Sequence, residues 1–154
     1  MRLTLAFALL LTLLLNPAAS PAASRGLGLG ATLGEPTGVT AKQWLDQDEA
    51  WTFGLGVNPF DENTVQGSAD YVLHFLQFGR QFNLPELALY TGLGGRLNYP
   101  EEGHLEAGVR LPAGLSFFMD KNVEWFAELV PVFDFAPYVE VDLNAVVGVR
   151  FYGW

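Results

Sequence analysis

The most constraining feature of the chain is a two-residue rhythm. Between Gly26 and Tyr152, apolar side chains alternate with small or polar ones. That is the period of a strand with one apolar face, and no sustained 3.6-residue stripe interrupts it. The cleanest stretch is 104–116. There Leu105, Ala107, Val109, Leu111, Ala113 and Leu115 alternate with His104, Glu106, Gly108, Arg110, Pro112, Gly114 and Ser116. Gly, Pro, Asn and Asp clusters cut the rhythm into eight predicted strands, at 26–33, 39–45, 50–57, 64–75, 86–97, 104–116, 123–133 and 140–152. Turns such as Glu35-Pro36-Thr37-Gly38 and Asp46–Glu49 separate them, and the longest connection is 76–85.

Residues 25–154 shared among eight strands allow about 16 residues for each strand and its connection, and a tilted membrane-spanning strand uses about 9–11 of them. An even number lets an antiparallel sheet close with both ends of the chain on one side. The predicted fold class is all-β: a single eight-stranded antiparallel up-and-down β-barrel. Two arrangements fit the rhythm. A soluble barrel turns its apolar face inward, whereas an outer-membrane barrel turns it to lipid. The non-apolar face is rich in glycine (Gly26, Gly28, Gly30, Gly54, Gly56, Gly92, Gly94, Gly108, Gly114, Gly148) and carries sparse charges of both signs: Lys42, Arg96, Arg110 and Arg150 against Asp70, Glu106, Glu124, Glu128 and Asp142. Small residues and opposed charges suit a narrow lumen better than a water-facing wall. The apolar face carries Trp51, Phe53, Tyr71, Phe75, Trp125, Phe133 and Phe151, as interfacial girdles do. The expectation is therefore the outer-membrane type.

Composition removes several function classes. The formal net charge is −9, so the basic footprint of a nucleic-acid binder is missing. Without cysteine there is no disulfide scaffold, thiolate metal site or cysteine nucleophile. Two histidines leave little for a metal site, and no cofactor motif is present. The start reads as an address: Met1-Arg2, the apolar run Leu3–Leu15, then the small-residue stretch NPAASPAAS. This is a secretory signal peptide pattern, too short for a spanning helix. The expected division is a signal peptide at 1–24, cut after Ser24, and a barrel domain at 25–154.

The segments GEPTGVTAKQW (34–44), LALYTGLGGRL (87–97), GVRLPAGLSFF (108–118), FAELVPVFD (126–134) and DLNAVVGVRFY (142–152) resemble a family of small uncharacterised bacterial secreted proteins. Its members are predicted to form outer-membrane-like β-barrels. The resemblance implies a fold and an envelope location in a double-membraned bacterium, and no catalytic residues. The closing Phe151-Tyr152-Gly153-Trp154 resembles the carboxy-terminal assembly signal of such barrels, although Arg150 stands where another apolar residue is usual. The expected partners are outer-membrane lipid and, during biogenesis, the barrel-assembly machinery, with a monomeric product.

Candidate sites are few. Arg96, Glu106, Arg110, Glu124 and Glu128 lie on three consecutive predicted strands and are expected to form one lumenal charge cluster with a structural role. Asp142 or Lys42 is expected nearer a strand end, in water. Ser68, Asp70 and His74 share a face and have the residue types of a nucleophile, orienter and base. On one strand, however, positions i and i+4 stand roughly 13 Å apart, so a lipid-modifying enzyme built on them would need partners from a neighbouring strand. His104 with Glu101 and Glu102, and Asp61-Glu62-Asn63, read as solvated loop residues before metal ligands. Gly26–Gly30 and Gly92–Gly95 precede no helix, so they are not phosphate loops. The leading expectation is an envelope barrel with a structural or interaction role. The alternatives are a lipid-modifying enzyme on the same barrel, and a soluble periplasmic barrel lining an apolar ligand cavity with Trp51, Phe53, Leu73, Leu105, Val109 and Leu111.

Overall fold

The computed structural model describes residues 25–60, 64–75, 77–84, 86–101 and 103–153. Residues 1–24, expected to be a signal peptide, and Asp61-Glu62-Asn63 and Glu102 lie outside them. In order, the described elements are β1 (Leu27–Gly34), β2 (Thr37–Trp44), β3 (Glu49–Val57), β4 (Val65–Phe75), α1 (Gln77–Gln81), β5 (Leu87–Tyr99), β6 (Glu106–Arg110), β7 (Ala113–Asp120), β8 (Val123–Ala136) and β9 (Glu140–Tyr152). Every pairing is antiparallel. Each of β1 to β5 pairs with its successor, β8 pairs with β9, and β1 with β9 closes the sheet on itself.

Two details differ from the sequence expectation. The predicted strand 104–116 is split into β6 and β7, each pairing with both β5 and β8. The two are halves of one stave, so the ring has eight strands. Pro112 causes the split, because it has no N–H for the ladder. Neighbours still stitch the gap: Gly92 N–H donates to the Pro112 carbonyl (2.8 Å) and Leu111 N–H to the Pro131 carbonyl (2.9 Å). The connection after β4 contains the single turn of helix α1, too short to leave a periodic signature in the sequence.

Burial alternates along every strand, and the apolar side chains are the exposed ones. Leu33, Val39, Leu55, Leu93, Leu97, Leu129, Val141 and Val147 all project from the outer wall. So do Trp51, Leu73, Leu105, Val109 and Leu111, which the soluble-barrel alternative needed inside; the apolar cavity lining expected from them is not formed. The wall is zoned. Trp51, Phe75, Phe117, Trp125 and Phe151 sit towards the end where β1 begins and β9 finishes, where Trp51 and Tyr71 meet edge to face at 5.6 Å. Tyr99, Phe133 and Phe135 sit towards the opposite end. Leu, Val and Ala fill the middle. This is the outer-membrane barrel pattern of an apolar band between aromatic girdles.

Inside, glycine makes room for bulk. Gly28 faces Tyr152, Gly148 faces Phe126, Gly94 faces Asp70, Gly108 faces Asp134 and Gly30 faces Arg150, each directly across a strand pair. A Cβ at Gly148 would meet the Phe126 ring and lie 2.7 Å from the Ala31 carbonyl oxygen. Gly148→Val is therefore expected to lower the yield of folded barrel severalfold, measured as the heat-shifted gel band, because overpacking here has no flexible neighbour to displace.

Candidate functional site

The lumen is a column of charged and aromatic side chains, held in place because alternate positions of every strand point inward. At the end where β1 begins and β9 finishes, Trp44, Ala50, Val72, Tyr90, Phe118 and Tyr152 form an apolar plug. The Arg25 guanidinium lies 4.0 Å from the Phe118 ring and 5.4 Å from that of Trp44, closing the plug with a cation–π contact.

Above the plug sits the tightest group. Lys42, 1% exposed, donates to Glu124 Oε1 at 2.6 Å and to His74 Nε2 at 2.8 Å. With Nε2 accepting, the His74 proton is assigned to Nδ1, which faces the Asp48 carbonyl at 3.3 Å. The second Glu124 oxygen accepts from Tyr152 Oη at 2.5 Å and Arg150 Nη1 at 3.5 Å. Arg150 also donates to Thr40 Oγ1 (3.1 and 3.2 Å) and covers the Phe126 ring at 3.7 Å. Glu124 is thus the shared counter-ion of two buried cations.

A second group lies deeper. Arg110 Nε approaches Asp70 Oδ1 to 3.0 Å as an ion pair without hydrogen-bonding alignment. Arg110 Nη2 reaches Glu128 Oε1 at 3.4 Å, and Tyr90 Oη donates to Glu128 Oε2 at 2.7 Å. The space left among Thr52, Asp70, Arg110, Glu128 and Arg150 is about 30 Å³, the volume of one water in the liquid.

The third group stands at the far end. Arg96 donates through Nε to Asp134 Oδ1 at 3.0 Å, through Nη2 to Asp134 Oδ2, and through Nη2 to Asp142 Oδ2 at 2.6 Å. Beside it, Asn98 Nδ2 donates to Glu106 Oε2 at 3.2 Å. Here the lumen widens into a cup of about 520 Å³.

Of the five charges expected in one cluster, only Arg110 and Glu128 meet. Arg96 pairs at the far end, Glu106 bonds an asparagine, and Glu124 belongs to the plug-side group. The stave tilt separates residues that strand order alone would bring together. Lys42 is not in water at a strand end but buried at the centre of the plug-side group. Asp142 is half-exposed at the far end, as expected. Asp134 was missed because the predicted strand stopped at Phe133; it continues the inward phase of Glu124, Phe126 and Glu128. Of Ser68, Asp70 and His74, Asp70 faces Arg110 and His74 faces Lys42 and Asp48, rather than one another. Among the described residues, no group of three His, Asp or Glu side chains is placed to hold a metal ion.

Among solved structures, the chain is similar to the N-terminal β-barrel domain of Pseudomonas aeruginosa OprF, with a TM-score of 0.65 and 15% identity, over 82% of this chain and 96% of that one. At that identity the likeness establishes the fold, a barrel of the outer-membrane type. No family model matches the chain, so the resemblance to a small secreted family rests on the segments quoted for it. No curated protein matches either.

Proposed function

We propose that the protein is a non-enzymatic barrel of the bacterial outer membrane, delivered by its amino-terminal signal peptide and inserted as a monomer by the barrel-assembly machinery. Its role is structural or interactive, with outer-membrane lipid as its first partner. The observation that carries this reading is the pairing of an apolar, girdled outer wall with a lumen filled by paired charges. In water such a wall would expose far more contiguous apolar surface than a soluble monomer does. The lumen speaks against a pore: Lys42, Tyr90, Glu124 and Arg150 are buried across its width, and eight strands leave room for side chains rather than a channel.

The test is fractionation followed by gel mobility with and without boiling. The expected result is recovery in the outer-membrane fraction and a band that shifts only on heating. The purified barrel in planar bilayers is expected to give no sustained conductance. A soluble periplasmic protein with no heat shift would overturn the proposal, and stable open channels would overturn its closed-lumen part.

A further inference from the structure

We propose that the outer wall holds one diacyl phospholipid with a zwitterionic, primary-amine headgroup, in the leaflet at the end where β1 begins and β9 finishes. This rests on the lipid-facing reading of the wall and names the lipid that the wall selects.

The wall is not evenly filled. Ala31, Ala113, Ala127 and Ala145 point outward from β1, β7, β8 and β9, four neighbouring staves. Ala127 stands among Leu115, Trp125, Leu129 and Val147, all larger and all exposed. The result is a trench, two depressions of about 440 and 620 Å³ that share Leu33, Leu115, Ala127 and Val147. Both volumes lie in the usual range for small-molecule sites. From the level of Ala113, Leu129 and Ala145 to that of Phe117, Trp125 and Val149 the trench runs four strand positions, roughly 13 Å at the rise of a strand. An apolar band is about 25 Å tall, so the trench suits the acyl chains of one leaflet.

The trench alone would not choose among lipids, because every lipid tail is as apolar as its lining. The mouth supplies the choice. Phe117 and Trp125 belong to the aromatic girdle, and just beyond them lie two connections, β4–β5 and β7–β8. Phe118 N–H donates to the Glu86 carbonyl at 3.0 Å, which holds the two side by side. Arg80 and Lys121 stand on them, exposed. Lys42, Arg96, Arg110 and Arg150 are lumenal and Arg25 covers the plug, so these are the two cations of the barrel left without an interior task. Glu86 and Asp120, also exposed, flank them. Among the described residues, none of the four has an ion-pair partner.

Two cations beside two carboxylates match a headgroup that carries both signs. The phosphate is placed for Arg80 and Lys121, and the ammonium for Glu86 and Asp120. A primary ammonium has N–H groups to donate to those carboxylates, forming charge-assisted bonds that a quaternary one cannot make. Along the barrel axis, apolar trench, girdle and mixed charges follow the order of chain, ester and headgroup in such a lipid.

The test is native mass spectrometry of the full barrel, refolded in a maltoside detergent and titrated with dimyristoyl phosphatidylethanolamine. One lipid is expected to be retained saturably, at least fivefold more than phosphatidylglycerol or phosphatidylcholine with the same chains. Arg80→Gln/Lys121→Gln is expected to lower that retention at least fivefold. Ala127→Leu, which fills the trench at a lipid-facing position, is expected to do the same with its heat shift intact. Equal retention of the three lipids would overturn the proposal on the unsubstituted protein alone, and so would unchanged retention in either folded variant. A heat-shifting barrel in the outer-membrane fraction that retains the three lipids equally loses this site only. A soluble protein with no heat shift removes the reading beneath it.

Discussion

Glu124→Leu is expected to cost the barrel about 3–5 kcal/mol, the usual penalty for orphaning a buried ion-pair partner. The substitution removes the single carboxylate that serves both Lys42 and Arg150 and the acceptor for Tyr152 Oη. Two buried cations then remain without their shared counter-ion. Against a typical stability of about 5–15 kcal/mol, that is a large fraction. The measurement is the urea midpoint of the heat-shifted band. Adding Lys42→Met to Glu124→Leu is expected to recover part of the loss, because one of the two stranded charges disappears and neighbouring effects do not add. A Glu124→Leu midpoint within error of the parent would mean that the lumenal charges contribute nothing to stability.

Leu93→Arg should reveal the sign of the outer wall. Leu93 stands near the middle of β5 and is 58% exposed. On a soluble barrel, arginine at such a position would be neutral or would aid solubility. On a wall facing lipid, arginine near the midplane costs about 2–4 kcal/mol. The expected outcome is a marked loss of folded protein in phospholipid vesicles, read as the fraction of heat-shifted band. Leu33→Arg, close to the far end of β1, is expected to lose much less. Equal tolerance at both positions would sink the lipid-facing assignment.

Much of the fold was legible because a closed sheet with one apolar face writes its period directly into the chain. The ends of β3, β4, β8 and β9 fall within a few residues of the sequence reading, and the inward phase of Arg96, Glu106, Arg110, Glu124 and Glu128 is that expected. What the period cannot carry is distance along the barrel axis. Arg96 and Glu106 share a face and neighbouring staves, yet Arg96 turns to Asp134 and Asp142, which belong to the later strands β8 and β9. Lys42 near a strand end looked solvated, and the rings of Trp44 and Tyr90 beside it, with His74 and Glu124, explain its burial. Pro112 was on the page as a residue that interrupts ladders, but its effect depends on where β5 and β8 lie. The partnerships were hidden because they follow register, and register is set across strands rather than along them.

The seam between β1 and β9 has a consequence for how the molecule comes into being. β9 is the last described strand to leave the ribosome, and it supplies Arg150 and Tyr152 as well as the pairing that joins the first strand to the last. Until it docks, the sheet has two raw edges and Glu124 holds Lys42 without its second cation. Zipping the seam and balancing the interior are one event. A curled intermediate therefore gains little from partial order, and assembly should behave as a latch that is either open or shut, slow for its size because the contacts that fasten it are the most distant in the chain.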